Sequence, residues 1–469
     1  MTAIHPHSPV ETLQRRILGA VIEPGTPGWD EATQAFNTHF VQTPPLVAIP
    51  ANAQDVIAIV EFARAHGLQV AAQRTGHNAE PFGSEMDDLL LVKTDLLQGV
   101  EIDVTTRRAR VASGTKWAQV VPKASELGLA ALHGSTPDVS VTGYSLGGGV
   151  GWYARKLGLA TNSVLAIELV TADGRLRRVD YEHDAELFWA LRGGGGNFGV
   201  VTAIEFQLYS IPEIYAGVLF FPWERSSEVL HAWNAWRTTV PDEVTSVGRI
   251  LQFPPLPELP EELRGRQFAV VEATYMGDEA SGAELLEPLR ALGPAMDTFA
   301  IVPPVGLSEL HMDPPDPLPY TGEGMMLSEL PAKAIDAFVA AAGPDSGSPL
   351  VSAEIRHLGG ALFRGSERHG VLNTFDAEFL TFGIGLALDE EMWKANRDQL
   401  RLLRKALTPY DSGRQYLNFT EEKTDVSTFY QEKAFRRLQA VKTAVDPDNL
   451  FRGNHAIPTG DGSPPPRDR

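Results

Sequence analysis

Apolar residues recur at helical spacing in 52–66, and a short, mostly apolar run at 68–72 follows them. The spacing predicts a helix, which Asn52 is placed to cap and Gly67 to end, and the run predicts a strand directly after it. The alternation continues, predicting strands at 89–92, 108–113 and 164–171 and a helix near 116–127. This part of the chain is therefore predicted to be mixed α and β structure with many short strands.

The pattern changes after about residue 209, where proline-rich loops at 253–260 and 303–319 interrupt the chain. Strands are predicted at 268–275, 350–358 and 375–386, with an amphipathic helix at 284–291. This pattern suggests a separate domain, an antiparallel sheet with helices on one face. A last helix is predicted at 427–444, and residues 459–469, rich in proline, glycine and charge, are predicted to be disordered.

Size and charge narrow the classes of function. With 469 residues the chain is too long for one ordinary core, so two or more domains are expected. A formal charge of −20 argues against nucleic acid and anionic membranes as partners. The absence of cysteine excludes disulfides, thiolate metal sites and cysteine nucleophiles, and no metal is expected. No apolar run could span a bilayer and residues 1–10 lack the features of a secretory signal, so a cytoplasmic protein is expected.

Glycine is concentrated between Gly143 and Gly151, and this cluster has several interpretations. Residues 143–147 match the G-x-S-x-G motif of serine hydrolases, with Ser145 as the nucleophile. Residues 149–154 match the dinucleotide motif G-x-G-x-x-A, and a turn without any ligand is a third alternative. The context opposes both motifs, because glycines after Ser145 cost a helix about 1 kcal/mol each and no clean buried strand precedes Gly143.

Five segments form an unusual combination. They are Arg74-Thr75-Gly76-His77-Asn78, the cluster 143–151, the run Gly193-Gly-Gly-Gly-Asn-Phe-Gly199-Val200-Val201-Thr202, Tyr416-Leu417-Asn418-Phe419, and Asp446-Pro-Asp-Asn-Leu-Phe-Arg452 with Asn454-His455. Together they resemble the berberine bridge enzyme-like family of flavoproteins, which share the vanillyl-alcohol oxidase (PCMH) type of FAD domain. The resemblance extends from about residue 43 to 458.

The resemblance implies that FAD is bonded covalently to His77, the histidine of the R-x-G-H segment. Many relatives carry a second covalent bond through a cysteine, at the position where this chain has Thr136. Because threonine cannot form a thioether, the implied attachment is through His77 alone. Tyr144 also departs from the family pattern, since relatives often have a histidine there.

The resemblance further implies an α+β fold with a two-subdomain, PCMH-type FAD-binding domain at 1–210, its core at about 40–210. Residues 211–409 would form a substrate domain whose antiparallel sheet, covered by helices, lies over the flavin. Residues 410–458 would complete the FAD domain. The residues implied to bind FAD are Arg74, Thr75, Gly76, His77, Asn78, Gly83, Thr136, Pro137, Asp138, Val139, Thr142, Gly143, Tyr144, Gly147, Gly148, Gly149, Gly151, Gly199, Val200, Val201, Tyr416 and Asn418.

The implied reaction is oxidation of an alcohol, or of a C–H bond next to oxygen or nitrogen, in a sugar or natural product by hydride transfer to flavin N5. At strand spacing Tyr416 and Asn418 would share a face, and Tyr416 would remove or relay the hydroxyl proton. Bringing a tyrosine pKa to neutrality takes about 4 kcal/mol, so a cation or strong donors are expected beside it. Glu378 and Glu354 are further candidates, although an ion pair with Arg356 is the more ordinary role for Glu354.

The expected partners are a small-molecule substrate and oxygen, with the chain acting as a monomer or homodimer. Three alternatives stay open: a dehydrogenase of the same fold, a flavin carrier without catalysis, and a serine hydrolase that uses Ser145.

Overall fold

The computed structural model describes residues 8–83, 85–257 and 260–460; most of the predicted tail, 461–469, lies outside the described residues, as do residues 1–7. The helices of the described part are α1 (Pro9–Gln14), α2 (Trp29–Thr33), α3 (Ala53–His66), α4 (Trp117–Glu126), α5 (Val141–Leu146), α6 (Ala154–Leu157), α7 (Ala185–Gly194), α8 (Ser226–Trp236), α9 (Glu279–Arg290), α10 (Ala332–Ala342), α11 (Glu390–Leu407) and α12 (Glu432–Val445). The strands are β1 (Ala20–Ile22), β2 (Leu46–Ile49), β3 (Gln69–Gln73), β4 (Leu89–Lys93), β5 (Val100–Asp103), β6 (Arg108–Ala112), β7 (Leu129–Ala130), β8 (Val164–Val170), β9 (Leu176–Val179), β10 (Val200–Gln207), β11 (Tyr209–Ser210), β12 (Ile214–Pro222), β13 (Val244–Gln252), β14 (Gln267–Tyr275), β15 (Met296–Asp297), β16 (Ala300–Val302), β17 (Tyr320–Leu327), β18 (Ser352–His357) and β19 (Phe379–Leu386).

The helix predicted after Asn52 is confirmed as α3, and its ends have the expected causes. The Asn52 side chain accepts hydrogen bonds from the backbone N–H groups of Gln54 and Asp55, at 2.8 and 3.0 Å. Gly67 ends the helix with φ of 69°, a left-handed conformation that glycine adopts without strain. Strand β3 follows and pairs in parallel with β4. Residues 74–78 therefore leave the carboxyl end of a strand inside the sheet.

Two multistranded sheets occupy the first half of the chain, in addition to the two-stranded pair of β7 and β11. One has the order β1-β2-β4-β3, in which β2, β4 and β3 are parallel and β1 is antiparallel. The other is antiparallel, with the order β5-β6-β10-β8-β9. Helices α4, α7 and α12 cover it and bury Trp117, Phe188 and Leu438 in one core. Together with the third sheet these elements confirm the predicted α+β class.

The third sheet is antiparallel and has eight strands, in the order β15-β12-β14-β13-β18-β19-β17 with β16 paired to β12. Helices α8, α10 and α11 pack on one of its faces. On β18 the alternation of the strand decides which side chain faces which way. Ala353 and Ile355 enter the core beneath the helices, whereas Ser352, Glu354 and Arg356 line a cavity on the opposite face.

The C-terminal segment returns to the first sheet. The N–H of Val70 in β3 donates to the Leu450 carbonyl at 2.7 Å, and the N–H of Arg452 donates to the Val70 carbonyl at 2.9 Å. Lys442 and Asp446 form an ion pair of 2.5 Å that is wholly buried. Within the described residues, no helix is both long and apolar enough to cross a membrane.

Two predicted elements differ in the structure. The strand expected at Tyr416 and Asn418 is wrong, because residues 417–419 form a 3₁₀ turn after an extended Tyr416. The helix expected at 427–444 begins only at Glu432, since residues 426–429 form a separate 3₁₀ turn that the Asp425 side chain caps.

Candidate active site

The turn that carries His77 is fixed by long-range contacts. Arg74 donates from Nε to the Gly114 carbonyl at 2.7 Å and from Nη1 to Asp95 at 2.7 Å. Gly76 has φ of 76°, and a Cβ at this position would lie 2.9 Å from the Cα of Ala35, so only glycine fits. The His77 ring stacks on Phe36 with a centroid separation of 3.8 Å. The position of the imidazole is therefore set by the surrounding chain.

A cavity of about 380 Å³ separates the first half of the chain from the third sheet. Its size lies within the usual range of ligand pockets. One wall consists of the His77 turn, the segments around Gly143 and Gly195, and the C-terminal Gly453 and Asn454. The other wall is the polar face of the third sheet, and residues 416–419 lie between the two.

The glycine-rich wall suits a long planar cofactor such as FAD. His77 Nε2 is buried without a hydrogen-bond partner among the described residues, and so are the Thr142 hydroxyl and both carboxylate oxygens of Asp138. The carboxylate of Asp138 lies 3.5 Å from His77 Nε2. Unpaired buried polar atoms are costly, so their concentration on this wall indicates a polar ligand. The residues present therefore fit the cofactor.

Tyr416 is held by three hydrogen bonds to its phenol oxygen. The backbone N–H groups of Gly149 and Val150 donate to it at 2.8 and 3.1 Å, and the Asn418 amide donates at 3.1 Å. Burial raises the pKa of Tyr416 above its ordinary value, although these donors and the charge of Arg356 oppose the shift. The strong donors that the sequence argument required are present, but Tyr416 is still a neutral phenol at pH 7.

Gly147 packs closely against Asn418, next to the Tyr416 phenol. A Cβ at Gly147 would lie 1.8 Å from Oδ1 of Asn418, so a larger residue would displace the Asn418 amide. Asn418 also donates to the Tyr144 carbonyl at 3.0 Å. The glycine cluster and the Tyr416 segment therefore fit together only with glycine at position 147.

The wall formed by the third sheet carries a buried network of charges. Glu272 accepts from Arg249 Nη1 at 3.0 Å and lies 2.5 Å from His311 Nδ1. Glu354 lies 2.8 Å from His311 Nε2 and accepts from Arg356 Nε at 2.6 Å. Each of these two carboxylates thus contacts an arginine and the same histidine.

The charges of the network determine its protonation. Burial and Arg249 oppose protonation of His311, but Glu272, Asp313 and Glu354 outweigh them and raise its pKa to about 9. Burial would raise the pKa of Glu354, yet Arg356 and His311 lower it well below its ordinary value. At neutral pH His311 is therefore a cation and Glu354 an anion.

A second acidic group lies on the same cavity, beside Tyr320. Burial and the nearby carboxylate of Glu80 raise the pKa of Glu421 to about 8. Burial also raises the pKa of Glu80 to about 7, with Arg397 opposing the shift. Because both values are far above the usual range, these carboxyl groups retain protons near neutral pH.

Most of the residues predicted to bind FAD line the cavity. They are Arg74, Thr75, Gly76, His77, Asn78, Thr136, Val139, Thr142, Gly143, Tyr144, Gly147, Gly199, Val201, Tyr416 and Asn418. Glu354 lines it too, and its predicted ion pair with Arg356 is present. Asp138 adjoins His77, and Gly149 donates to Tyr416. Pro137, Gly148 and Gly151 are not part of the lining.

Three predicted site residues lie elsewhere. Glu378 is half-exposed just before β19, with its carboxylate 3.7 Å from Arg237 and away from the cavity, so its proposed contact with substrate is wrong. Gly83 is exposed on the surface. Val200 is wholly buried and packs into the core that includes α3. Because strand alternation points Val200 and Val201 in opposite directions, only Val201 reaches the cavity.

The hydrolase and dinucleotide interpretations of the glycine cluster have no structural support. Ser145 is 2% exposed, lies inside the short helix α5, and does not line the cavity. Gly149 does not follow a strand, since α5 precedes it. The cluster instead surrounds Tyr416.

Several cavity residues were missed from the sequence. Strand alternation at 352–356 would have found Ser352 and Arg356 with Glu354. Arg249 is the one charged residue of a buried strand, β13, which is a signal for a functional arginine. His311 and Asp313 lie in a proline-rich loop, where no local pattern indicates a site.

Comparisons with known proteins agree with this geometry. Residues 44–180 match the model of the FAD binding domain, and residues 415–458 match the model described as berberine and berberine like. The chain is 31% identical over 464 residues to (R)-6-hydroxynicotine oxidase of Paenarthrobacter nicotinovorans, covering 94% of this chain and 97% of that enzyme. It is 32% identical over 272 residues to xylooligosaccharide oxidase of Thermothelomyces thermophilus, 56% of this chain and 52% of that enzyme. The structure of Physcomitrella patens BBE-like 1 has the same fold, with a TM-score of 0.83 at 19% identity over 96% of this chain and 99% of that one.

Proposed function

The chain belongs to the berberine-like family of FAD-linked oxidoreductases, and we propose that it is an oxidase whose FAD is bonded covalently to His77 alone. Its substrate would be an alcohol, or a compound with a C–H bond next to oxygen or nitrogen. The relatives include enzymes named (R)-6-hydroxynicotine oxidase and xylooligosaccharide oxidase, which supports this range. Oxygen would serve as the reoxidant.

One observation carries the proposal. His77, whose buried Nε2 makes no hydrogen bond and lies 3.5 Å from Asp138, and the hydrogen-bonded phenol of Tyr416 line the same cavity, between a glycine-rich wall and a polar sheet. His77 and the segments at 143–147 and 195–199 would hold the cofactor. When bound, FAD supplies an acceptor for a hydride and its two electrons. Thr136 cannot add a thioether, and the chain contains no cysteine that could.

The chain's own residues would bind the substrate and move its proton. Three donors contact the phenol oxygen of Tyr416, one more than the two lone pairs of a neutral phenol accept, so they favour the phenolate form of this side chain. In its phenolate form Tyr416 would remove the proton of the substrate hydroxyl and become the neutral phenol, and its raised pKa makes the phenolate a minor species at neutral pH. Glu354 and Arg356 would form a fixed polar wall beside the substrate, because both line the cavity and are paired with each other. Phe419 stacks on Phe382 with centroids 5.0 Å apart and provides an apolar surface beside them.

The covalent bond is tested by acid precipitation of the purified protein. We expect the wild-type pellet to stay yellow and the peptide that contains His77 to carry the mass of FAD. The His77→Ala protein should bind FAD without a covalent bond and release its colour on precipitation. His231→Ala is the matched control, because His231 contacts Asp336 on the surface and not the cavity. A colourless wild-type pellet would show that the bond is absent.

The oxidation is tested by anaerobic mixing with a panel of sugars, alcohols and amines. We expect at least one member to bleach the flavin, and admitted oxygen to restore the colour with formation of hydrogen peroxide. Restoration by an artificial electron acceptor but not by oxygen would identify a dehydrogenase. If dithionite bleaches the yellow protein but no member of the panel bleaches it, the result would favour a flavin carrier.

A further inference from the structure

The charged wall of the cavity contains three carboxylates, Glu272, Glu354 and Asp313, and the first two already have cationic partners. Glu272 contacts Arg249 and His311, and Glu354 contacts Arg356 and His311, each within 3.0 Å. All five residues are buried. Their bonding capacity is largely used within the network, so they form a rigid wall.

Asp313 is different from the other two carboxylates. It lines the cavity, but in the part of the chain that the structure describes no lysine, arginine or histidine nitrogen lies within ion-pair distance of it. Its Oδ2 accepts hydrogen bonds from the hydroxyls of Ser135 at 3.0 Å and Thr136 at 2.5 Å. No hydrogen bond to Oδ1 occurs within the same described part. One oxygen is thus fixed by the glycine-rich wall, and the other remains available to a ligand.

The surrounding charges select the kind of group that Asp313 can accept. Burial would raise the pKa of Asp313, but His311, Arg249 and the Thr136 hydroxyl lower it, so the group is ionised at neutral pH. An ammonium group placed at Oδ1 would be attracted by Asp313 but repelled by those two cations, so its charge gains little, and a carboxylate would be repelled by Asp313 itself. A neutral hydroxyl avoids both penalties and forms a charge-assisted hydrogen bond.

We propose that Asp313 anchors the substrate of the oxidation by accepting a hydrogen bond at Oδ1 from a neutral hydroxyl group. This inference rests on the proposed oxidase function. Because Thr136 holds the other oxygen, the hydroxyl that replaces the family's cysteine would orient the anchor. Asp313 would remain ionised throughout, so it binds and does not take up the proton.

The experiment compares three ligands that share one ring but differ in the group that faces Asp313: benzyl alcohol, benzylamine and benzoate, with xylobiose as a larger neutral polyol. Dissociation constants are measured from the change in flavin absorbance on titration of the holoprotein at neutral pH. We expect wild type to bind at least one of the two hydroxyl ligands more tightly than benzylamine and benzoate. Asp313→Asn should weaken the preferred hydroxyl ligand at least tenfold.

The control is Asp316→Asn, which makes the same charge change on the same loop at an exposed position outside the cavity. It should leave all four constants within twofold of wild type. Equal or tighter binding of benzylamine or benzoate by wild type overturns the inference without any variant. An unchanged hydroxyl affinity in Asp313→Asn overturns it as well. Flavin content and reduction by dithionite are measured first, so a protein without FAD refutes the proposed function separately.

Discussion

The buried ion pair of Lys442 and Asp446 allows the sharpest test of how the C-terminal segment is fixed. Lys442 Nζ donates to Asp446 at 2.5 Å, to the Asn197 carbonyl at 2.8 Å and to the Phe451 carbonyl at 2.7 Å. Asp446 in turn accepts the backbone N–H groups of Leu450 and Phe451, both at 2.8 Å. One ammonium group thus joins α12, the glycine run 193–199 and the segment 450–452 that pairs with β3.

Replacing Lys442 by methionine keeps most of the side-chain volume but removes the charge. Asp446, with 0% of its side chain exposed, would be left as an uncompensated buried anion. Breaking such a pair costs about 3–5 kcal/mol, which is two to four decades in the folding equilibrium. Burial lowers the pKa of Lys442 while Asp446 opposes the shift, so the partner is needed to keep the lysine charged.

The free energy of unfolding is measured by urea titration with tryptophan fluorescence, because the buried Trp117 shares a core with Leu438 of α12. Arg436→Met is the matched control on the same helix, since Arg436 pairs with Glu432 on the surface and should lose less than about 1 kcal/mol. The double substitution Lys442→Met with Asp446→Asn should be less costly than the sum of the single changes. A Lys442→Met protein as stable as the control would refute this reasoning.

Two further predictions concern titratable groups of the cavity. Tyr416→Phe should slow flavin reduction by substrate at least about 100-fold. Because burial raises the pKa of Tyr416, the wild-type rate of flavin reduction should rise with pH without a plateau near neutrality. Stopped-flow measurements across pH check both expectations, and a wild-type plateau at neutral pH would contradict the role of Tyr416 as the base. The pKa of Glu421 is about 8 in the folded protein and an ordinary 4.5 in the unfolded chain, so the folded state binds the proton more tightly. The stability of the wild-type protein should therefore fall as pH rises between these two values. Glu421→Gln should flatten that fall in melting temperature, whereas an equal slope in wild type and variant would show that Glu421 does not titrate there.

Local rules predicted the elements whose causes are local. The ends of α3 followed from Asn52 and Gly67, since a capping side chain and a left-handed glycine act within a few residues. The Tyr416 segment failed for the opposite reason. Its conformation depends on N–H groups at Gly149 and Val150, more than 260 positions away in the chain, which no alternation of residues reveals.

The residues of the candidate site also fall into those that local sequence motifs reveal and those that only the fold brings together. His77 and the glycine runs were found because they form contiguous motifs that the resemblance could match. His311 and Asp313 were not, since their chemistry exists only once the loop before β17 lies against β13, β14 and β18. Glu378 was misplaced because the strand was predicted to begin at residue 375, four residues before the true start of β19 at Phe379.

The charged wall of the cavity is more than the fold needs for stability. Replacing buried ion pairs by apolar side chains of similar volume is often neutral or stabilising, so Arg249, Glu272 and His311 are poor choices for packing alone. With Arg356, Glu354 and Asp313 included, the three positive and three negative charges balance, which keeps a strong field from the cavity while Oδ1 of Asp313 stays open to a neutral ligand. A wall of this kind fixes the acceptor in place before the substrate arrives, and such preorganisation reduces the ordering cost of binding. The network is therefore better explained by recognition of a hydroxyl than by the stability of the sheet.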